Sequence, residues 1–431
     1  MKTVLLFVGV LLVFSSNVLA QSYSSFDFTW ANGNNRQRSF PLVVKDDSNE
    51  VVLTGVAMID SYYNVNFNQP LDNTHVSSGT IGRANEFTVN LMTIGFESNY
   101  KNIIGKLSFQ IGNILNFVQD DDPTVLRGRN TGTSNVKYLR EASAGYHFDV
   151  LQGLNVEMGV FLSYIGLESY LTQENWSYQR SIVCDFTPFY FTGGKVQLFP
   201  SDNVKTELWL VNGWQSYNSW NKGPGIGSST YIRPNDNIQV AANFYGGNDS
   251  RQAVNRYHHD HSVVARLMKD SESDGLSQVA ISLNNHYGFE SGEGKTYSTH
   301  FMLGSSLATR CWFNKNTIGV TVRADYVTNP GLHLAYTPSP ITPNDFTDAI
   351  ANDPLQRISI GQATVTLDYM PNDFATFRLE YGYREANHPY FAGRGGTTSP
   401  DGWSTTPIPT NWRPDLQKTE HRLTGAINIR L

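Results

Sequence analysis

Cysteine is almost missing: Cys184 and Cys311 are the two in 431 residues, too few for an exported domain built on disulfides. Charge is sparse as well. Asp, Glu, Lys and Arg make up 16% of the chain and the net charge is −6, which leaves no basic footprint for nucleic acid. Beyond the first twenty positions no run of 18 apolar residues occurs, so no transmembrane helix is expected. Phosphate-loop chemistry is excluded too: Gly393-Arg394-Gly395-Gly396 is followed by neither Lys-Ser/Thr nor a helical pattern.

What the chain does contain begins with Lys2, the apolar run Val4 to Phe14, and small residues up to Ala20. That is the pattern of a secretory signal peptide cut after Ala20 (residues 1–20), and it places the mature chain outside the cytoplasm. Aromatics reach 13% and glycine 36 residues, a composition suited to strands and turns. Mean hydropathy is below zero. A soluble protein gives that value, and so does a membrane barrel, whose loops and inner face are polar.

The clearest strand closes the sequence. Leu423, Ile427, Ile429 and Leu431 share one parity, while Arg422, Thr424, Asn428 and Arg430 share the other. Period two over about ten residues describes a strand with one apolar and one polar face, long enough to cross a bilayer at a tilt. The same alternation returns along the chain. Residues 53–67 set Ala57, Ile59, Tyr63 and Val65 against Asp60, Tyr62, Asn64 and Asn66, and residues 103–113 set Leu107, Phe109 and Ile111 against Lys106, Ser108 and Gln110. Residues 316–328 set Val320, Val322 and Ala324 against Thr321, Arg323 and Asp325, and residues 374–386 set Phe377, Leu379 and Tyr381 against Arg378, Glu380 and Arg384. About sixteen such segments follow one another from residue 53; residues 21–52 lack the alternation and read as a periplasmic N-terminal extension or a short plug.

Linker lengths alternate too. Short links rich in turn formers, such as 98–102, 151–153, 200–203, 234–237 and 371–373, separate longer ones at 114–136, 167–188, 329–355 and 387–419. The expected fold is therefore all-β: a transmembrane antiparallel up-and-down β-barrel of about sixteen strands, residues 53–431, with short periplasmic turns and long extracellular loops. Tyr62, Tyr63, Tyr100, Tyr146, Trp209, Trp214, Trp312, Tyr326, Tyr369, Tyr381 and Tyr383 lie within or near strand ends and are expected in aromatic girdles. Cys184 is expected in an outer loop and Cys311 in a periplasmic turn, a separation that argues against their pairing.

Several blocks resemble the β-barrel porins called OmpL-like, found in Gram-negative bacteria including Bacteroidetes. They include Gly145-Tyr146-His147-Phe148-Asp149-Val150, then Gly159-Val160-Phe161-Leu162-Ser163-Tyr164-Ile165-Gly166-Leu167, and Glu174-Asn175-Trp176-Ser177-Tyr178-Gln179. Val211-Asn212-Gly213-Trp214-Gln215-Ser216-Tyr217, Asp368-Tyr369-Met370-Pro371 and Asn387-His388-Pro389-Tyr390-Phe391-Ala392-Gly393 extend the match over most of the mature chain. The resemblance implies a barrel with a pore, and carries over neither a substrate nor catalytic residues. The chain departs from porins in ending on Leu431, where Phe is usual.

On this reading the polar parity lines a water-filled lumen. The candidate pore-lining residues are Lys106, Glu141, Glu157, Lys205, Glu207, Arg266, Arg323, Asp325, Asp368, Arg378, Glu380 and Arg384. Opposite charges on facing walls set up a transverse field that selects solutes; cross-strand ion pairs that merely solvate the interior are the alternative. Tyr170, Trp176 and Tyr178 mark residues 167–188 as a constriction loop folding inward, with an ordinary surface loop as the alternative. Along Tyr257-His258-His259-Asp260-His261 the spacing offers pairs of ligands on one strand face but no third, so no metal is expected. Asp120-Asp121-Asp122 lacks the spaced ligands of a calcium loop. His147 and His286 fall on the inward parity, yet no spacing marks a nucleophile, base and acid, so neither catalysis nor a cofactor is expected. The functional expectation is passive diffusion of small hydrophilic solutes across the outer membrane, against a non-conducting barrel that works in adhesion or surface anchoring through its loops. Lipid, lipopolysaccharide, the barrel-assembly machinery and the solutes are the expected partners. Porins of this size often form homotrimers, but no feature of the sequence fixes the oligomer.

Overall fold

The computed structural model describes residues 27–31, 40–75, 78–120, 122, 136–219, 221–249, 254–333 and 356–431. The expected signal peptide, Asp121, and parts of the links at 114–136 and 329–355 lie outside the described residues.

A three-residue strand, β1 (Val43–Lys45), precedes fifteen consecutive long ones: β2 (Val51–Asn66), β3 (Phe87–Tyr100), β4 (Ile103–Ile111), β5 (Leu139–Phe148), β6 (Leu154–Leu162), β7 (Tyr190–Ser201), β8 (Val204–Val211) and β9 (Gly225–Asn235), then β10 (Ile238–Gly247), β11 (Asn255–Lys269), β12 (Leu276–Ser291), β13 (Phe301–Phe313), β14 (Ile318–Asn329), β15 (Ile358–Asn372) and β16 (Ala375–Ala386). A short hairpin in the last loop, β17 (Phe391–Ala392) with β18 (Leu416–Gln417), leads into β19 (Thr419–Arg430). Each long strand pairs antiparallel with the next, and β19 returns to β2 with Leu423 opposite Val65 and Ile429 opposite Ile59. The result is a closed, antiparallel sixteen-strand barrel. Closure satisfies every ladder group except where β2 outruns β19. There Leu431 exchanges backbone hydrogen bonds with Ala57 at 3.1 and 2.9 Å, and β1 covers what remains, with Val43 opposite Thr54. Among the described residues every long strand of the barrel is paired on both sides, and a closed barrel has no long edge to pair with another chain.

Alternation sets which residues face out. Along β13 and β14 burial switches at nearly every step, Leu303, Leu307, Val322 and Tyr326 being exposed while Arg310, Thr321 and Arg323 are buried. Exposed Leu, Ile, Val, Phe and Tyr continue around β15, β16, β19, β2 and β3. A contiguous apolar band of this extent would drive association in water, whereas hydrocarbon accommodates it.

Strand limits differ from the sequence expectation at the short-turn rim. The link expected at 98–102 contracts to Lys101-Asn102, because Ser98 to Tyr100 stay in the ladder opposite Gly105 to Ile103. Lys101 and Asn102 adopt φ of 49° and 67°, the left-handed pair of a two-residue hairpin turn whose twist matches the strands. Cys311 is also misplaced by the expectation of a turn: it lies on β13 opposite Val320 and Val279, while Cys184 lies in the short helix Ile182–Asp185, and both thiols are free.

Four of the expected girdle aromatics point inward. Tyr62, Trp209 and Trp312 are buried and Trp214 packs against Tyr245 and His258. For the first three, parity gives the reason: Tyr62 shares its face with Asp60 and Asn64, Trp209 with Lys205 and Glu207, and Trp312 with Arg310. The Trp209 indole donates to Glu207 Oε2 at 3.0 Å, and Tyr62 Oη accepts from the Gly82 and Arg83 amides, so each polar tip finds a partner inside.

Candidate functional site: a lumen filled from one side

The link between β6 and β7 does not lie over the barrel. It turns inward at Gly166, whose φ of +92° and packing against Cys184 and Thr187 suit glycine alone. Asp260 on β11 accepts from the Gly166 amide at 2.6 Å, and Asn284 on β12 accepts from the Leu167 amide at 3.3 Å. From there to Phe189 nearly every residue is buried.

An irregular segment inside a barrel has backbone groups with no ladder to join, and each needs a partner. The wall supplies charged ones. Glu380 accepts from the amides of Tyr178 at 2.6 Å and Gln179 at 3.1 Å. Arg378 donates to the carbonyls of Thr172 (3.3 Å) and Asn175 (3.0 Å), and Arg310 to that of Trp176 (3.0 Å). Arg323 donates to the Gln179 carbonyl and to Glu168, both at 2.8 Å. Asp60 on β2 accepts from Thr172 Oγ1 and Tyr178 Oη at 3.0 Å each. The same wall groups neutralise one another: Asp368 bridges Arg310 (2.7 Å) and Arg378 (2.6 Å), Asp325 holds Arg323 (2.9 Å), Glu380 holds Arg422 (2.9 Å) and Glu420 holds Arg384 (2.7 Å). Charge-assisted hydrogen bonds of this kind are the strong ones.

The expected constriction aromatics are therefore inside the barrel and packed against its wall, Trp176 alone of the three lining a small cavity. Trp176 meets Trp312 edge-on at 5.9 Å, Tyr178 meets Tyr62 edge-on at 5.9 Å, and Tyr170 packs on Phe189. A cavity of about 40 Å³ lies between residues 167–181 and the β11–β14 wall.

Across the lumen the wall is wetter. Lys106 bridges Glu97 at 2.7 Å and Glu141 at 3.2 Å, Lys195 bridges Glu157 at 3.1 Å, and Lys205 bridges Glu207 at 3.2 Å. A cavity of about 460 Å³ opens there, lined by Glu97, Lys106, Glu141, Glu157 and Lys195. Its inner boundary includes Phe161, beside Tyr164 and Trp209, which stack on each other at 4.8 Å; the Lys195 ammonium lies 4.7 Å from the Phe161 ring centre. At the short-turn rim Phe28 and Trp30 enter the lumen. Trp30 donates to the Asp236 carbonyl at 3.2 Å and Arg266 sits 5.1 Å from its ring, while Trp30 joins Trp176 and Trp312 in one apolar cluster.

Of the candidate pore residues, Lys106, Glu141, Glu157, Lys205 and Glu207 thus fall on the wetter wall. Arg266 lies at the N-terminal segment, and Arg323, Asp325, Asp368, Arg378, Glu380 and Arg384 lie beneath the inserted segment or paired beside it. Asp60, Asp260 and Arg310 were not singled out as site residues; strand parity places them inward, but nothing in the sequence says that a loop would come to meet them.

Known proteins show the same architecture. OmpT of Vibrio cholerae superposes with a TM-score of 0.51 at 8% identity over 90% of this chain and 100% of that chain. OprB of Pseudomonas putida gives 0.50 at 12% identity, over 88% and 94%. At such identities the likeness concerns the fold. Among curated proteins none matches the sequence. A family model does match, over residues 52–407: the chain belongs to the outer-membrane barrel family described as "Putative beta-barrel porin-2, OmpL-like".

Proposed function

We propose that this protein is a porin through which small hydrophilic solutes diffuse passively, and that its path runs along the β3–β9 wall. The observation that carries the reading is the one-sided lumen: about 460 Å³ of space lined by alternating Lys and Glu on one wall, against about 40 Å³ on the other. Facing charges order water and set a field that solutes cross without chemistry. Residues 167–188 act as the constriction by their bulk, which confines solutes to the opposite wall. The periplasmic mouth of that path is narrowed by Phe28 and Trp30.

A second reading has its own support. Both the inserted segment and residues 28–30 pack into the lumen, as a non-conducting barrel used for surface anchoring would have them. Single-channel recording on the refolded protein in a planar bilayer separates the two. Stable open steps with a reversal potential in a salt gradient support the porin; folded, heat-modifiable barrels that never conduct overturn it.

A further inference from the structure

Near the long-loop rim, the lumen holds a histidine chain that touches the inserted segment at one end, where Asn284 accepts from the Leu167 amide, and leads away from it at the other. Its polarity follows from its hydrogen bonds. Asn284 Nδ2 donates to Asp260 and to the His261 carbonyl, so Asn284 Oδ1 is the acceptor end. Oδ1 lies 2.9 Å from His286 Nε2, which therefore carries the proton. In a neutral His286 ring Nδ1 is then an acceptor, and His258 Nε2, 3.0 Å away, must be its donor. The remaining nitrogen of a neutral His258, Nδ1, is left with a bare lone pair.

That lone pair has no hydrogen-bond partner, although His258 is fully buried. His333, which follows the turn Pro330–Leu332, is buried as well, and neither of its ring nitrogens has a partner. The two rings converge. A Cβ placed on Gly288 would fall 2.5 Å from His258 Nδ1 and 2.7 Å from His333 Nε2, so both atoms face the one gap that glycine leaves. Buried nitrogens left without a partner are destabilising unless something binds them.

We propose that His258 Nδ1 and His333 Nε2 bind a divalent transition-metal ion of the zinc or copper class at Gly288. Imidazole suits these ions, and both nitrogens lie within 2.7 Å of one point, close enough to share an ion at metal–nitrogen distances of about 2.0–2.1 Å once the rings turn it clear of the Gly288 backbone. A ligating histidine usually donates its other N–H to a second group, which fixes its tautomer; the His258–His286–Asn284 chain does that here. No third His, Cys, Asp or Glu completes the set among the described residues, so the remaining positions go to water or to a solute. The nearby cations Arg256 and Lys295 both pair with Glu290, which limits their repulsion of the ion. The ion would tie residue 333 of the β14–β15 link to the β11 wall, whether or not the barrel conducts.

The test uses the refolded full-length barrel carrying His259→Ala and His261→Ala. Those two rings stack outward on the same strand and are a competing site. Calorimetric titration with ZnCl2 after chelator treatment is expected to show one ion per chain. His333→Ala should weaken binding by at least about tenfold, and so should Gly288→Ala, which keeps both donors and fills the gap. Should either variant fail to fold, as judged by heat-modifiability, Cu2+ paramagnetic resonance on the parent decides, with two coordinated imidazole nitrogens expected. Absence of binding, binding unchanged in folded variants, or a copper spectrum without imidazole overturns the assignment.

Discussion

The two halves of the lumen start from the same sequence pattern and end in opposite states. On β13–β16, β19 and β2 the inward Arg, Asp and Glu are buried, and Arg310, Arg378, Asp368, Glu380 and Arg422 are held by another wall charge, the inserted segment, or both. On β3–β8 the inward Lys and Glu pair with one another, across strands at Lys106–Glu97 and Lys195–Glu157 and along β8 at Lys205–Glu207, and Lys106, Glu97, Lys195 and Glu157 keep contact with solvent. The pattern differs in one respect visible beforehand: the buried half is rich in Arg, the wetter half in Lys. A guanidinium with several fixed donors can hold a carboxylate and a loop carbonyl at once, whereas an ammonium stays better hydrated.

The comparison breaks most directly if the inserted segment is removed. Replacing residues 168–185 with a short Gly-Ser link should expose Asp60, Arg310, Asp368 and Glu380 and raise single-channel conductance several-fold; unchanged conductance would mean the segment does not limit the path. Next comes Asp368→Ala, which strips Arg310 and Arg378 of their shared carboxylate. Removing one partner of a buried pair costs about 3–5 kcal/mol, so the unfolding midpoint should fall clearly on a heat-modifiability gel. Glu157→Ala, the matching change on the wetter wall, should cost less, because both side chains of the Lys195–Glu157 pair keep some contact with water. Equal losses would erase the distinction between the halves.

Selectivity sharpens it further. Glu157→Lys places a second cation beside Lys195 along the proposed path and should shift the reversal potential in a salt gradient toward anions. Glu380→Gln, beneath the inserted segment, should leave that potential nearly unchanged at equal conductance. A shift from Glu380 and none from Glu157 would move the path to the other wall.

Much of this was written in parity. Inward and outward faces followed residue by residue from the two-residue period of a strand, and parity also predicts the inward Trp209 and Trp312 that a search for girdles at strand ends misassigns. Strand ends were less legible, since Ser98 to Tyr100 read as turn residues until the tight Lys101-Asn102 pair is seen to close the hairpin. The aromatic content of residues 167–188 pointed to a loop that enters the barrel. Its contacts could not be read, because they run from backbone amides and carbonyls, which carry no sequence signal, to side chains such as Glu380, some two hundred residues away. The histidine chain was invisible for the same reason: His333 meets His258 only through the gap at Gly288.

The smallest effect lies outside the barrel, where two loops of the long-loop rim are joined by one carboxylate. Asp72 Oδ2 accepts from the Thr397 amide (2.6 Å) and the Thr398 amide (2.9 Å), and from both hydroxyls at 3.1 and 2.8 Å. Burial alone would push this carboxyl up, but the hydrogen bonds from Thr397, Thr398 and Thr74 outweigh it and hold it below the usual aspartate range. A folded value below the unfolded one means the contact contributes its full stability above about pH 4 and loses it as pH falls through the lower, folded value. Hydrogen exchange at the Thr397 and Thr398 amides, corrected for its intrinsic rate, should therefore be flat from pH 7 to pH 5 and quicken only in stronger acid. Asp72→Asn, which keeps the shape and removes the charge, should quicken it at neutral pH without altering conductance. Protection already lost at pH 5 would show that the charged carboxylate is not what joins the loops.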